Sequence, residues 1–244
     1  MADRTIEGSP QLYARIGGAL YLIIIAIGLF GEAFVRDKIM VSGDATATAK
    51  HIIASESLWR FHIAAELLSL ICAVVLLMIL FVLLKPVSRE LVVLATFFNL
   101  VSIGLEAATA MYLVVALFPL GNTAYLNAFS PEQRYAMASL ALRSHGYGFG
   151  VSLLFFGCFS IVIGRVIFRS GFLPRVVGAL MQIAGLCYLT DSFALILSPA
   201  ARKSFIPHHS CSRLRWGGLP LPVASRQGRQ CRAMDGAGGR HEGV

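Results

Sequence analysis

Apolar residues along this chain collect in five long, nearly continuous runs, at residues 14–35, 58–84, 91–120, 147–168 and 175–197. Each run reaches the roughly 20 residues that a helix needs to cross the ~30 Å hydrocarbon layer, where lipid offers no partner to an open backbone group. Five runs of that length in one chain are the pattern of membrane spans rather than of soluble core helices. The fold class that follows is all-α, a polytopic integral membrane bundle with five transmembrane helices. Asp3, Arg4 and Glu7 precede the first run, which is too long for the apolar region of a signal peptide, so it is expected to stay as an anchor.

The polar stretches between the runs alternate in length. Residues 85–90 form a tight turn, with Pro86 as helix breaker and Ser88 placed as an N-cap. Residues 169–174 form another, where Gly171 takes the left-handed helix-ending conformation and Pro174 opens the next helix. The stretches 36–57 and 121–146 are long, and each carries a short helix of its own. Asp44 caps one over 45–54, and Ser130, Pro131, Glu132 and Gln133 spell a capping box for the other. That second helix is placed to run on into the fourth span, extending well beyond the membrane or bending at Gly146, Gly148 and Gly150.

Composition agrees with the pattern: 57% of residues are hydrophobic and 14% charged, with a mean hydropathy of +0.72. The net charge of +8 would point toward nucleic acid if it were spread over the chain, but residues 1–200 hold 13 Lys/Arg against 11 Asp/Glu and residues 201–244 hold 8 against 2. Most of the excess sits in the last 44 residues, so no nucleic-acid partner follows from it. In the apolar part, Arg4, Arg15, Lys85, Arg89, Arg165, Arg169 and Arg175 gather at the N-terminus and the two tight turns. The positive-inside rule then predicts an N-terminus in the cytoplasm, with the two long loops outside.

From Ala201 the apolar runs stop, and Arg, Gly, Pro, His and Gln take over without a repeat. One reading is a disordered basic tail that binds anionic lipid or nucleic acid. The sharper reading is a change of reading frame between about residues 199 and 205. Read one nucleotide later, the codons of Met234-Asp235 must give Trp and those of Gln227-Gly228 must give Lys or Arg. The codons of residues 207–217 permit Pro-Ile-Ile-Leu-Ala-Pro-Ala-Phe-Val-Gly-Glu, so the shifted frame allows a sixth apolar span with a basic end. The chain is thus divided into a helix bundle at 1–200 and an aberrant basic tail at 201–244.

Four stretches carry a resemblance: LLKPVSRELVVLATFF (83–98), FSPEQ (129–133), SHGYGFGVSLLFFG (144–157) and IFRSGFLPRVVGALMQIAGLCYLTDSF (167–193). Together with the first two spans, they resemble the bacterial and archaeal membrane proteins of domain-of-unknown-function family 4386 (DUF4386) over about residues 10–199. The resemblance implies six spans in an intact member, the last with a Gly-Glu pair, a Leu-Trp pair and a Lys-Gly end, as the shifted frame permits. It implies no activity.

An ionisable side chain inside a span costs several kcal/mol unless it is paired or wetted, which makes each one a functional candidate. Glu32 lies near the outer end of span one, and Arg60, His62 and Glu66 begin span two. Glu106 lies in the middle of span three, Arg143 and His145 enter span four, and Asp191 lies in the outer half of span five. This one-sided set predicts a polar pocket opening to the outside, which binds or conducts a small solute or ion without catalysis. His62 and Glu66, four apart on one helical face, with His145 beside them, are the candidates for a metal-dependent hydrolase instead. The sequence lacks H-E-x-x-H and paired C-x-x-C, and no cofactor is predicted. A third reading is a structural or assembly partner of other membrane proteins, its acids paired across helices, for example Arg60 or Arg143 with Glu66 or Glu106. The bilayer is the one partner common to all three.

Gly157 and Gly164 in span four repeat the seven-residue spacing of Gly178 and Gly185 in span five, predicting a close helix contact. Cys72, Cys158 and Cys187 lie within spans and are expected to be buried thiols, while Cys211 and Cys231 fall in the tail.

Overall fold

Residues 10–197, apart from positions 42 and 172, are described by a computed structural model. Asp3, Arg4, Glu7 and the tail from Ala201, with Cys211 and Cys231, lie outside the described residues. Helix α1 spans Pro10–Phe30 and continues as a π-helical turn over Gly31–Arg36 into the short α2, Asp37–Ile39. Then come α3 (Ala45–Ala54), α4 (Glu56–Leu84), α5 (Arg89–Val115), 3-10 turns at Phe118–Leu120 and Ala124–Ala128, α6 (Pro131–Ser170) and α7 (Arg175–Leu197). Among the described residues, five helices are long and apolar enough to cross a membrane, as the runs predict.

Local chemistry sets the ends of these elements. The Asp44 carboxylate accepts the Ala47 N–H at 2.9 Å and starts α3. Ser130 and Gln133 complete a reciprocal capping box at α6: the Ser130 hydroxyl accepts the Gln133 N–H, and the Gln133 side chain accepts the Ser130 N–H. Gly171, at φ 73°, closes α6 in the left-handed region. Ser88 occupies the N-cap position of α5 in an extended conformation, but its hydroxyl makes no capping bond. The third apolar run stops short as a helix at Val115, because Pro119 cannot donate to a helical ladder and the chain tightens into a 3-10 turn. No break occurs at Gly146, Gly148 or Gly150: α6 is one helix of 40 residues, about 60 Å long and twice the hydrocarbon thickness.

The long helices pack as a chain of neighbours, α1 on α4, α4 on α5, α5 on α6 and α6 on α7, with α3 lying against α6. Glycine makes the α6–α7 contact close. A Cβ added at Gly157 would come within 2.9 Å of the Gly185 carbonyl oxygen, and one at Gly164 within 2.7 Å of that of Gly178; the reverse approaches, from Gly185 and Gly178, are equally tight. The two seven-residue spacings therefore interlock as an antiparallel glycine seam. One apolar cluster, including Leu77, Leu84, Val92, Ala95, Phe159 and Ile163, fills the end of the tight turns. The other, including Val35, Ile52, Trp59, Leu113 and Leu142, fills the end that carries the long loops.

Outward faces of the helices stay apolar, with Ile71 and Met78 on α4, Phe97 on α5, and Val176, Leu180 and Leu186 on α7 all exposed. Water would penalise such faces and lipid does not, so the chain is a multi-pass membrane protein embedded in a bilayer. Cys187 corrects the expectation of three buried thiols: it is exposed, while Cys72 and Cys158 are half-buried. Gly178, Gly185 and Ser192 turn their face of α7 into the contact with α6, which leaves Cys187 on the other side.

Candidate functional site

Three inter-helix contacts fix the depth of the polar residues. Trp59 on α4, 1% exposed, donates its indole N–H to the Leu113 carbonyl on α5 at 3.2 Å. His145 Nδ1 on α6 lies 3.1 Å from the Thr109 carbonyl on α5. Ser102 on α5 donates its hydroxyl to the Ser152 carbonyl on α6 at 2.9 Å. Neighbouring helices run antiparallel, so these pairs set a register. Seven residues onward from Trp59 and seven back from Leu113 bring Glu66 and Glu106 to one level, two helical turns below the Trp59 layer.

One turn above that level, the ring of His62 lies against α1. A Cβ added at Gly31, the first residue of the π-helical turn, would come within 2.8 Å of the His62 ring, so a side chain there would push the imidazole aside. His62 Nε2 stands 3.6 Å from a Glu66 carboxylate oxygen, and its Nδ1 is buried with no hydrogen-bond partner. Trp59 meets the same ring edge-on, with centroids 6.1 Å apart. His145 is better tethered. A carbonyl only accepts, so Nδ1 carries the hydrogen, and in a neutral ring Nε2 is left as an acceptor. Phe149 stacks on this imidazole with centroids 6.3 Å apart.

Between these groups lies a cavity of about 20 Å³, lined by Arg36, Met40, Trp59, His62, Leu113, Leu142 and His145. That is room for one water molecule. Arg36 reaches the cavity from the end of the π-helical turn, where Glu32 holds its guanidinium at 3.4 Å. The π-turn widens the helix by one residue just where Gly31 makes way for His62. Such turns often mark functional positions.

Of the eight sequence candidates, the structure brings His62 and Glu66 into contact and sets His145 across the cavity from His62. Glu106 lies level with Glu66 and is half-buried; Asp191 on α7 is also half-buried. Glu32 belongs to the site through Arg36. Arg60 and Arg143 do not line the cavity. Arg60 points outward, pairs with Glu56 at 2.8 Å, and borders a separate open groove of about 220 Å³ with Phe118, Thr123 and Tyr125. Arg143 is exposed. Among the described residues, no three His, Cys, Asp or Glu side chains come together to hold a metal ion.

Sequence reasoning passed over Arg36 and Trp59. Both carried a signal: Arg36 follows Glu32 by four residues at the end of span one, and Trp59 precedes His62 by three on the face that bears Glu66.

The profile of the family described as Domain of unknown function (DUF4386) matches residues 16–209, most of the chain. The chain belongs to the DUF4386 family. Comparison with curated proteins and with solved structures returns no match. For this DUF4386 protein the functional reading therefore rests on the site itself.

Proposed function

We propose that this DUF4386 protein handles a small ion or solute in the membrane through the polar pocket of Arg36, His62, Glu66, Glu106 and His145, and that it does so without catalysis. The observation that carries this reading is the cavity between Arg36, His62 and His145, enclosed by otherwise apolar helices. Ionisable groups at such a position raise the energy of the folded bundle unless water or an ion satisfies them. A volume near that of one water fits a small ion better than a drug-sized solute, whose pockets run to several hundred Å³. The basic tight turns support a cytoplasmic N-terminus and a pocket facing outward from the bacterial inner membrane.

Purified full-length protein in liposomes tests the reading, with K⁺, Cl⁻ and H⁺ as probes. Flux above protein-free vesicles, abolished by Glu106→Gln while thermal stability is kept, is the expected result. Wild-type vesicles no leakier than empty ones to all three probes would overturn it and favour a structural or assembly role.

We also infer that residues 201–244 come from a changed reading frame that replaces a sixth span. The concentration of positive charge there supports this. Sequencing the gene across the codons for residues 199–205 decides it: an inserted or deleted nucleotide is expected, and an unbroken frame removes the inference.

A further inference from the structure

The ion handled at this site is, we propose, the proton, passed along a relay from Glu66 through His62 and one water in the 20 Å³ cavity to His145. This rests on the pocket reading above and narrows it to one species.

The geometry supplies each station. Glu66 Oε2 faces His62 Nε2 at 3.6 Å, a separation that a small side-chain rotation closes. The other ring nitrogen of His62, Nδ1, is buried against Gly31 without a protein partner, and a turn of the ring brings it to the adjoining cavity, which is large enough for one water. Across that cavity stands His145, whose Nδ1–H is committed to the Thr109 carbonyl, leaving Nε2 to accept. One transfer runs as follows. The Glu66 carboxyl gives its proton to His62 Nε2, the ring turns and releases the hydrogen on Nδ1 to the water, and the water passes one of its hydrogens to His145 Nε2. Glu66 ends as a carboxylate, His62 as its other neutral tautomer, the water unchanged and His145 as an imidazolium. One proton has moved and no other bond has changed. An imidazole that accepts on one nitrogen and donates on the other suits this work.

Charged groups around the path come from every helix packed on it. Arg36 borders the cavity from the π-helical turn, its guanidinium held by Glu32. Glu66 and Glu106 sit level on α4 and α5, one turn deeper. From α6 the cavity receives only His145, since Arg143 points outward. The half-buried Asp191 of α7 lies deeper still: Leu195 packs at Gly150, which puts Asp191 below the Glu66 level. It extends the polar sequence toward the middle of the bilayer.

The test uses full-length protein in liposomes with an entrapped pH-sensitive dye and an imposed pH gradient, run beside K⁺ and Cl⁻ flux. The expected result is wild-type proton flux that falls on the order of tenfold or more in His62→Gln and in His145→Gln. Added imidazole should recover part of the flux in His62→Ala. Melting curves of the same preparations confirm that the variants are folded, and Glu66→Gln serves as a second interruption should a histidine variant fail to fold. Proton flux unchanged in folded His62→Gln and His145→Gln overturns the relay. Wild-type flux of K⁺ or Cl⁻ without proton flux also overturns it but leaves the pocket reading standing. No flux of any probe removes both.

Discussion

Trp59 shows how one side chain ties the helix ends to the site. At the end of α5 the Leu117 N–H turns to the Val114 carbonyl in a tightened last turn, and the indole N–H of Trp59 supplies the partner for Leu113 instead. Trp59→Phe keeps most of the buried ring and removes the donor. The expected outcome is a loss of about 1 kcal/mol, read as a lower melting temperature in detergent, with a larger loss for Trp59→Ala. Residues of this kind are legible in sequence only in part. His62, Glu66 and His145 stand out because ionisable groups are rare in apolar runs. Arg36 is fainter: its signal is the Glu32 four residues before it at the end of a span, and the π-helical turn carries it to the cavity. That turn begins at a tertiary contact, Gly31 against His62, and no local propensity announces it.

Element boundaries were largely written in the chain because they rest on local chemistry. The capping box at Ser130, the Asp44 cap and the left-handed Gly171 all sit where their residue types place them. The glycine seam between α6 and α7 was legible as matched spacing, while its pairing, Gly157 with Gly185 and Gly164 with Gly178, needed the antiparallel register. Gly178→Ala puts a Cβ within 2.6 Å of the Gly164 carbonyl oxygen and of the Phe168 backbone nitrogen, so the helices must separate. A destabilisation of roughly 1–3 kcal/mol is expected from overpacking. Gly28→Ala on α1 meets nothing within 4 Å and serves as the control, with unchanged or slightly higher stability from its better helix propensity. Thermal denaturation of the two variants side by side checks both. Close packing also accounts for the glycines inside the continuous α6. Gly148 faces the Thr109 side chain and Gly150 the Leu195 side chain, so these glycines make room for neighbours and leave the ladder intact.

At the scale of the molecule, the five spans of the described residues follow from hydropathy, and the short turns set α4 beside α5 and α6 beside α7. Orientation is tested directly with single cysteines in a cysteine-free background and a membrane-impermeant maleimide added to intact cells. Asn122→Cys, in the long loop after α5, is expected to label, and Ser88→Cys, in the tight turn before α5, to label only after lysis. The reverse pattern would turn the molecule over in the membrane and move the cavity to the cytoplasmic side. The glycine seam also bears on biogenesis. Its two helices are adjacent in the chain and separated by a four-residue turn, so α6 and α7 meet as soon as both have entered the bilayer. Everything that this hairpin grips lies upstream of Leu197, and a ribosome that changes frame after that point has already made both halves. A damaged 3′ end therefore yields an inserted, locally packed product rather than a loose chain. Such a product is better placed to escape membrane quality control than one whose last helices lacked each other.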